Sequence, residues 1–102
     1  ATINNIKGLF LDKGVDYGKT GDFTSAIEMF TKGLEFKPND PDILSNMGIA
    51  YAQSGDVNNA LKSFETALKY KPNDKGILRN IGIMYRQLGD TLKANAYFRK
   101  AK

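Results

Sequence analysis

Apolar residues recur at spacings of three and four in six stretches of this chain, at residues 7–19, 23–36, 41–53, 57–70, 75–87 and 91–101. That spacing gathers them on one face of an α-helix, so the pattern predicts an all-α chain of six helices. Two kinds of break separate them. Gly21-Asp22, Gly55-Asp56 and Gly89-Asp90 divide the first helix of each pair from the second. Glycine accepts the positive φ of a helix end, and the aspartate caps the exposed amides of the next helix. The sequence KPND at 37–40, and again at 71–74, divides one pair from the next. Asn39 or Asp40 is the expected cap there, with Pro41 in the first turn, where its missing N–H costs nothing.

These breaks return every 34 residues, and most of what lies between them returns too. Residues 7–40, 41–74 and 75–102 align in columns: Phe10, Leu44, Leu78; Gly14, Gly48, Gly82; Tyr17, Tyr51, Tyr85; Ala26, Ala60, Ala94; Phe30, Phe64, Phe98; and Pro38, Pro72. Each unit is therefore a helical hairpin, and the third stops three residues short of another KPND. A glycine inside a helix costs about 1 kcal/mol relative to alanine. Three in register imply an approach too close for a side chain, and the small alanine of the second helix is the expected neighbour: Gly14 against Ala26, Gly48 against Ala60, Gly82 against Ala94.

Composition narrows the functions such a stack can have. A chain of 102 residues, 41% of them hydrophobic, makes one small domain over 1–102. It contains neither a long apolar run nor a charged-then-apolar leader, which leaves the cytoplasm as the expected compartment. With no cysteine and no histidine it lacks the usual nucleophile, general base and transition-metal ligands. No enzyme activity, cofactor or metal site is expected. The GKTG at 18–21 ends like a phosphate-binding loop, but Lys13 stands where that motif needs glycine and no strand-like run precedes it.

With its columns in view, the chain resembles the tetratricopeptide repeat (TPR) family. The carrying residues are LSNMGIAY at 44–51, ALKSF at 60–64 and Pro72, with parallel versions on either side, over about residues 7–102. Phe10 and Leu44 replace the family's tryptophan, Lys13 stands in a column with Met47 and Ile81, and Asn95 and Lys102 stand where Ile27, Leu61, Leu34 and Leu68 set an apolar pattern. The resemblance implies three stacked helix-turn-helix units in a short right-handed superhelix, whose first helices line a concave groove. It also implies a scaffold that binds peptide segments of other proteins.

On such helices the middle groove column is Val15, Ile49 and Ile83, beside Leu11, Asn46, Arg79 and Asn80, with Lys19, Gln53 and Arg86 toward the far edge. These ten are the expected peptide-binding residues. Asn46 and Asn80 can donate to and accept from an extended backbone. The alternative for Val15, Ile49 and Ile83 is that they only complete packing between units. A full carboxylate clamp of the kind found in co-chaperones that grip heat-shock chaperones is not expected: its asparagine part is present as Asn46 or Asn80, but Leu11 and Val15 occupy its leading lysine and asparagine sites, Gly76 its later lysine site, and Arg79 is one residue displaced from its arginine site.

The net charge of +4 comes mainly from the second helices and their exits, including Lys32, Lys62, Lys69, Lys93 and Lys100. Glu28 with Lys32 and Glu65 with Lys69 have a spacing that supports a solvated helix face. No aromatic platform interleaves the lysines, so nucleic acid is not an expected partner. The second expected role is structural: repeats stacking on further repeats or on copies of the same chain. The third unit has no following helix to cover it, which makes Leu88, Leu92 and Ala96 the expected self-association residues.

Overall fold

The computed structural model describes residues 2–102; Ala1, the first position of the single domain expected over 1–102, lies outside the described residues. Six helices follow one another: α1 (Ile3–Lys19), α2 (Phe23–Phe36), α3 (Pro41–Gln53), α4 (Val57–Tyr70), α5 (Lys75–Gln87) and α6 (Thr91–Lys100). They pair as three hairpins, α1–α2, α3–α4 and α5–α6, stacked in chain order. Helix α1 starts four residues before the expected stretch at 7–19. Thr2 caps it by accepting the Asn5 amide, and the extra turn holds Ile3, which is exposed, Asn4, Asn5 and Ile6, which is half-buried. Helix α6 ends at Lys100, with Ala101 as its cap rather than its last turn.

The breaks take the forms their residues favour. Gly21, Gly55 and Gly89 have φ of 84°, 89° and 84°. Asp22, Asp56 and Asp90 then accept the amides of Ser25, Asn59 and Lys93, each at 3.1 Å. In the first KPND the two candidate residues divide the work. Asp40 caps α3 through the Asp42 and Ile43 amides at 3.0 and 3.1 Å, while Asn39 makes the turn at φ 59°, a conformation asparagine tolerates better than most side chains.

The register of each hairpin is set by a ring in a notch. A Cβ on Gly48 would lie 2.6 Å from the Phe64 ring, and one on Gly82 would lie 2.7 Å from the Phe98 ring; Gly14 meets Phe30 in the same way. This corrects the expected pairing with Ala26, Ala60 and Ala94. The glycine makes room for the largest residue of the opposing helix, not the smallest, and its ring lies directly over the helix wall. The alanines are buried, with at most 1% exposure.

The core lies between units as much as within them. Phe30 and Ala26 join Ile43, Met47 and Ala50 of the next hairpin, flanked by Ile27 and Leu34. One step on, Phe64, Ala60 and Ala67 join Ile77, Ile81 and Met84, flanked by Leu61 and Leu68. The same columns at the two outer faces turn polar. Lys13 and Asp16 stand where α3 has Met47 and Ala50, Asn95 and Lys102 stand where α4 has Leu61 and Leu68, and all four are exposed.

An ionic tie runs along the turn edge. Lys7 Nζ lies 3.1 Å from both Asp40 Oδ2 and Asp42 Oδ2, and Lys71 Nζ lies 3.2 Å from Asp42 Oδ1. Burial alone would push the Asp40 carboxyl up, but the Ile43 amide and the Lys7 ammonium outweigh it and hold the group below its ordinary value. Asp42 is lowered by its hydrogen bonds from Lys7 and Lys71. Burial opposes the Lys7 charge, and the two carboxylates overcome it and raise its pKa.

Two predictions follow from this packing. Gly48→Ala should lower stability by about 1–3 kcal/mol through overpacking, although alanine is the better helix former. Gly8→Ala, with open space at its Cβ, should raise stability by up to about 1 kcal/mol. Urea melts separate them, and two equal stabilisations would contradict the notch. For the ionic tie, the lowered carboxyls stabilise the fold above their ordinary value of 3.8 and lose that contribution as pH falls through their folded values. Lys7 contributes until pH rises above 10.5 toward its raised value. Melts at about pH 6 and about pH 3 should therefore show a fall in stability that is smaller in Lys7→Met; an equal fall would remove the tie from the account.

Candidate functional site

The first helices share one side of the stack, where α1 touches α3 directly. Two clefts open along it. The first, about 190 Å³, lies between α1 and α3 and is lined by Val15, Lys19, Asn46, Ile49 and Gln53 over a floor of Gly14, Gly18, Phe30 and Ala50. Gly14 and Gly18 are one helical turn apart, so α1 presents bare backbone there and the Phe30 ring reaches the cleft. The column of Gly18 continues as Ala52 and Arg86, which is why the hollow occurs at the first junction. The second cleft, about 600 Å³, lies against α5 and the end of α6 and is lined by Arg79, Ile83, Arg86, Phe98, Ala101 and Lys102. The Arg86 guanidinium stands over the Phe98 ring, 5.6 Å from its centre.

Eight of the ten expected groove residues thus line the two clefts, five in the first and three in the second. Leu11 and Asn80 line neither; Leu11 is half-buried against the Phe30–Ile43 core. The apolar column divides between its two readings. Val15 and Ile83 both pack against core clusters as well as lining a cleft, whereas Ile49 joins no cluster and is 40% exposed. Asn46 is less free than expected, because its side-chain amide donates to the Asp42 carbonyl at 2.8 Å. Missing from the expected set were Gly14, Gly18, Phe30 and Ala50 in the first cleft and Phe98, Ala101 and Lys102 in the second. Gly18 was detectable as the smallest member of a varied column, but Phe30 and Phe98 read as core until the notch places their rings through the wall.

A third hollow, about 510 Å³, lies away from this side, lined by Lys13, Asp16, Tyr17, Thr20 and Met29 on the outer face of the first hairpin. Leu88 and Leu92 are exposed, at 48% and 85%, and Ala96 is half-buried. Their columns in the earlier units hold Thr20 and Ser54, Thr24 and Asn58, Glu28 and Lys62, all on the outer surface. They therefore flank the Gly89-Asp90 turn and the outside of α6, not the face a following hairpin would cover, which ends in Asn95 and Lys102. Tyr97 is covered from within the chain, stacked on Tyr85 at 5.6 Å with the Lys100 ammonium 4.9 Å from its ring centre.

The tetratricopeptide repeat model matches residues 19–81, and a second model of the same repeat matches residues 78–102. The chain belongs to the tetratricopeptide repeat family. Its TPR hairpins superpose on the Sgt2 TPR domain from Aspergillus fumigatus with a TM-score of 0.89 at 23% identity, covering 93% of this chain and 63% of that one. MamA matches at a TM-score of 0.89 and 21% identity, covering 93% and 56%. The second TPR of Spaghetti (RPAP3), solved bound to the HSP90 peptide SRMEEVD, matches at 0.89 and 21%, covering 97% and 94%. The chain thus spans less than two thirds of the Sgt2 and MamA chains. These likenesses show the fold, a right-handed TPR stack. No curated protein matches the chain. Among the described residues no helix is long and apolar enough to cross a membrane, and no group of three or more acidic side chains is placed to hold a metal ion.

Proposed function

We propose that this TPR domain, with units at 7–40, 41–74 and 75–102, is a non-catalytic scaffold that holds an extended segment of a partner protein along α1, α3 and α5. The observation that carries the reading is Ile49. It is 40% exposed in a helix whose neighbouring positions are core, and it stands beside the hollow that Gly14 and Gly18 leave open. One apolar side chain of the segment fills that hollow against Ile49, Val15 and the Phe30 ring. Lys19, Asn46 and Gln53 at its rim offer polar contacts to the segment's backbone. The peptide-bound TPR of Spaghetti supports the class of ligand, since the same fold there holds a peptide. The SRMEEVD peptide is not the ligand proposed here, because Leu11, Val15 and Gly76 occupy the lysine and asparagine positions of a clamp for such an end.

A second reading rests on Leu92, which is 85% exposed close to the exposed Leu88. Copies of the chain would associate through that edge. Sedimentation across a wide concentration range checks it: a concentration-dependent mass that Leu92→Lys abolishes supports association, and a constant monomer mass rejects it.

The groove reading is tested with Gly18→Leu, whose added side chain starts in open space and should fill the hollow without loss of helix, and with Ile49→Asp. Both variants should weaken capture of the partner about ten-fold or more while circular dichroism is unchanged. Lys62→Glu and Lys69→Glu on the outer side should leave capture as it was. The reverse pattern would move the recognition surface to the outer helices.

A further inference from the structure

We infer that the outside of the third hairpin docks on an anionic lipid bilayer, with Leu88 and Leu92 entering the headgroup region and Lys93, Arg99 and Lys100 meeting lipid phosphates. This goes beyond the groove reading and uses none of its residues. Counted by unit, charge is unevenly shared: residues 7–40 and 41–74 each hold one acid more than their bases, whereas residues 75–100 hold six bases and a single acid, Asp90. The positive excess therefore lies in the third hairpin. Along the outside of α6, Ala96 follows Leu92 by one turn, Arg99 and Lys100 follow by another, and Lys93 lies beside Leu92, so apolar and basic groups share one face. Leu92 is 85% exposed, and Leu88, the cap of α5, is 48% exposed.

The stack does not require these residues, because the same columns of the second unit hold Ser54, Asn58, Asn59, Glu65 and Thr66. There the first four are exposed and Thr66 is half-buried with α5 and α6 in place, so the face is open because it is the outside of a hairpin. Its charges are available. Among the described residues none of the three cations lies within ion-pair distance of a carboxylate. The Lys93 and Lys100 ammoniums lie 5.3 and 4.9 Å from the ring centres of Tyr85 and Tyr97, which steadies them at the surface. The bordering acids are engaged elsewhere: Asp90 accepts the Lys93 amide at 3.1 Å, and Glu65 accepts the Tyr85 hydroxyl at 3.2 Å.

Exposed leucines among unpaired cations fit a bilayer better than a macromolecule. Nucleic acid stacks on free ring faces, whereas Tyr85 and Tyr97 are stacked on each other and covered by the two lysines. A folded protein partner anchors a side chain in a pocket, and none of the three hollows described above includes these residues. A bilayer needs no pocket: its interface takes up the leucines, and its anionic headgroups attract each nearby cation. Two copies meeting through this edge would bring two basic faces together, so the same charge opposes the self-association reading.

The probe is a vesicle of phosphatidylserine and phosphatidylcholine in equal parts, compared with phosphatidylcholine alone, and binding of the full chain is read by co-sedimentation. The mixed vesicles should bind about ten-fold more tightly or better, and the preference should shrink as salt is raised. Leu88→Ser with Leu92→Asn, and Lys93→Asn with Lys100→Thr, give the third hairpin residues that the second already carries, so both pairs keep the fold. Each pair should lower binding about ten-fold with circular dichroism unchanged. Lys13→Asn with Lys19→Gln removes as much charge away from this face and should change binding little. A spin-labelled headgroup lipid should broaden the methyl signals of Leu88 and Leu92 more than those of Leu9, which is exposed on the first hairpin. Equal binding to the two vesicles, a leucine pair without effect, or a control pair as damaging as Lys93→Asn with Lys100→Thr would overturn the inference. So would an oligonucleotide that strips the chain from vesicles at equal phosphate concentration, or a self-association that the leucine pair abolishes in a chain that binds no vesicle. Ile49→Asp, which tests the groove, should leave vesicle binding as it was, so either reading can fail without the other.

Discussion

Everything in this stack depends on a phenylalanine ring lying across a helix that has no side chain at that point. Gly14, Gly48 and Gly82 each cost their helix stability, and each is placed where Phe30, Phe64 or Phe98 would otherwise collide with a Cβ. The ring fixes how far one helix of a hairpin can slide along the other, since a shift of one residue would drive it into a side chain. The same ring of the first two hairpins then faces the next one, where Ile43 and Met47, or Ile77 and Ile81, close the core. One contact therefore sets both the shape within a unit and the step between units.

The notch also shapes the surface proposed to bind. Where Gly18 extends the bare backbone beyond Gly14, the wall is thin enough for Phe30 to reach the first cleft; at the third unit Arg86 takes the place of Gly18 and covers Phe98 with charge. Repetition of the fold does not bring repetition of the groove. The columns that the core dictates stay constant, while the columns free of it pass from glycine to arginine, and the two clefts differ in character as a result. At the outer faces the same freedom replaces apolar residues with Lys13, Asp16, Asn95 and Lys102.

The period of 34 residues and the Gly-Asp and KPND breaks made the helices legible to within a turn, because caps and positive-φ glycines act through their immediate neighbours. The start of α1 was read too late: Ile3 and Ile6 continue the spacing of three and four back from Phe10, but no Gly-Asp or KPND break precedes them, and the cap is Thr2 instead. The glycine column announced a close approach but not the partner, since a missing Cβ can admit a backbone, a small residue or a ring with equal ease. Most expected groove residues line a cleft, yet their division into an apolar hollow and a basic one depends on Phe30 and Phe98, whose side chains read as core in any one-dimensional pattern. The exposed Leu88 and Leu92 were visible as apolar outliers. That they flank a turn, off the stacking face, follows only from comparing their columns with Thr20, Ser54, Thr24 and Asn58.

The most direct measurement is a double-mutant cycle on the middle unit, combining Gly48→Ala with Phe64→Leu, read by urea denaturation. If the ring in the notch governs the packing, Gly48→Ala destabilises the parent but costs much less once the ring is gone, a coupling of about 1 kcal/mol or more between the two sites. Strictly additive effects would show that the glycine and the ring act independently, and the account of how these hairpins lock and stack would be contradicted.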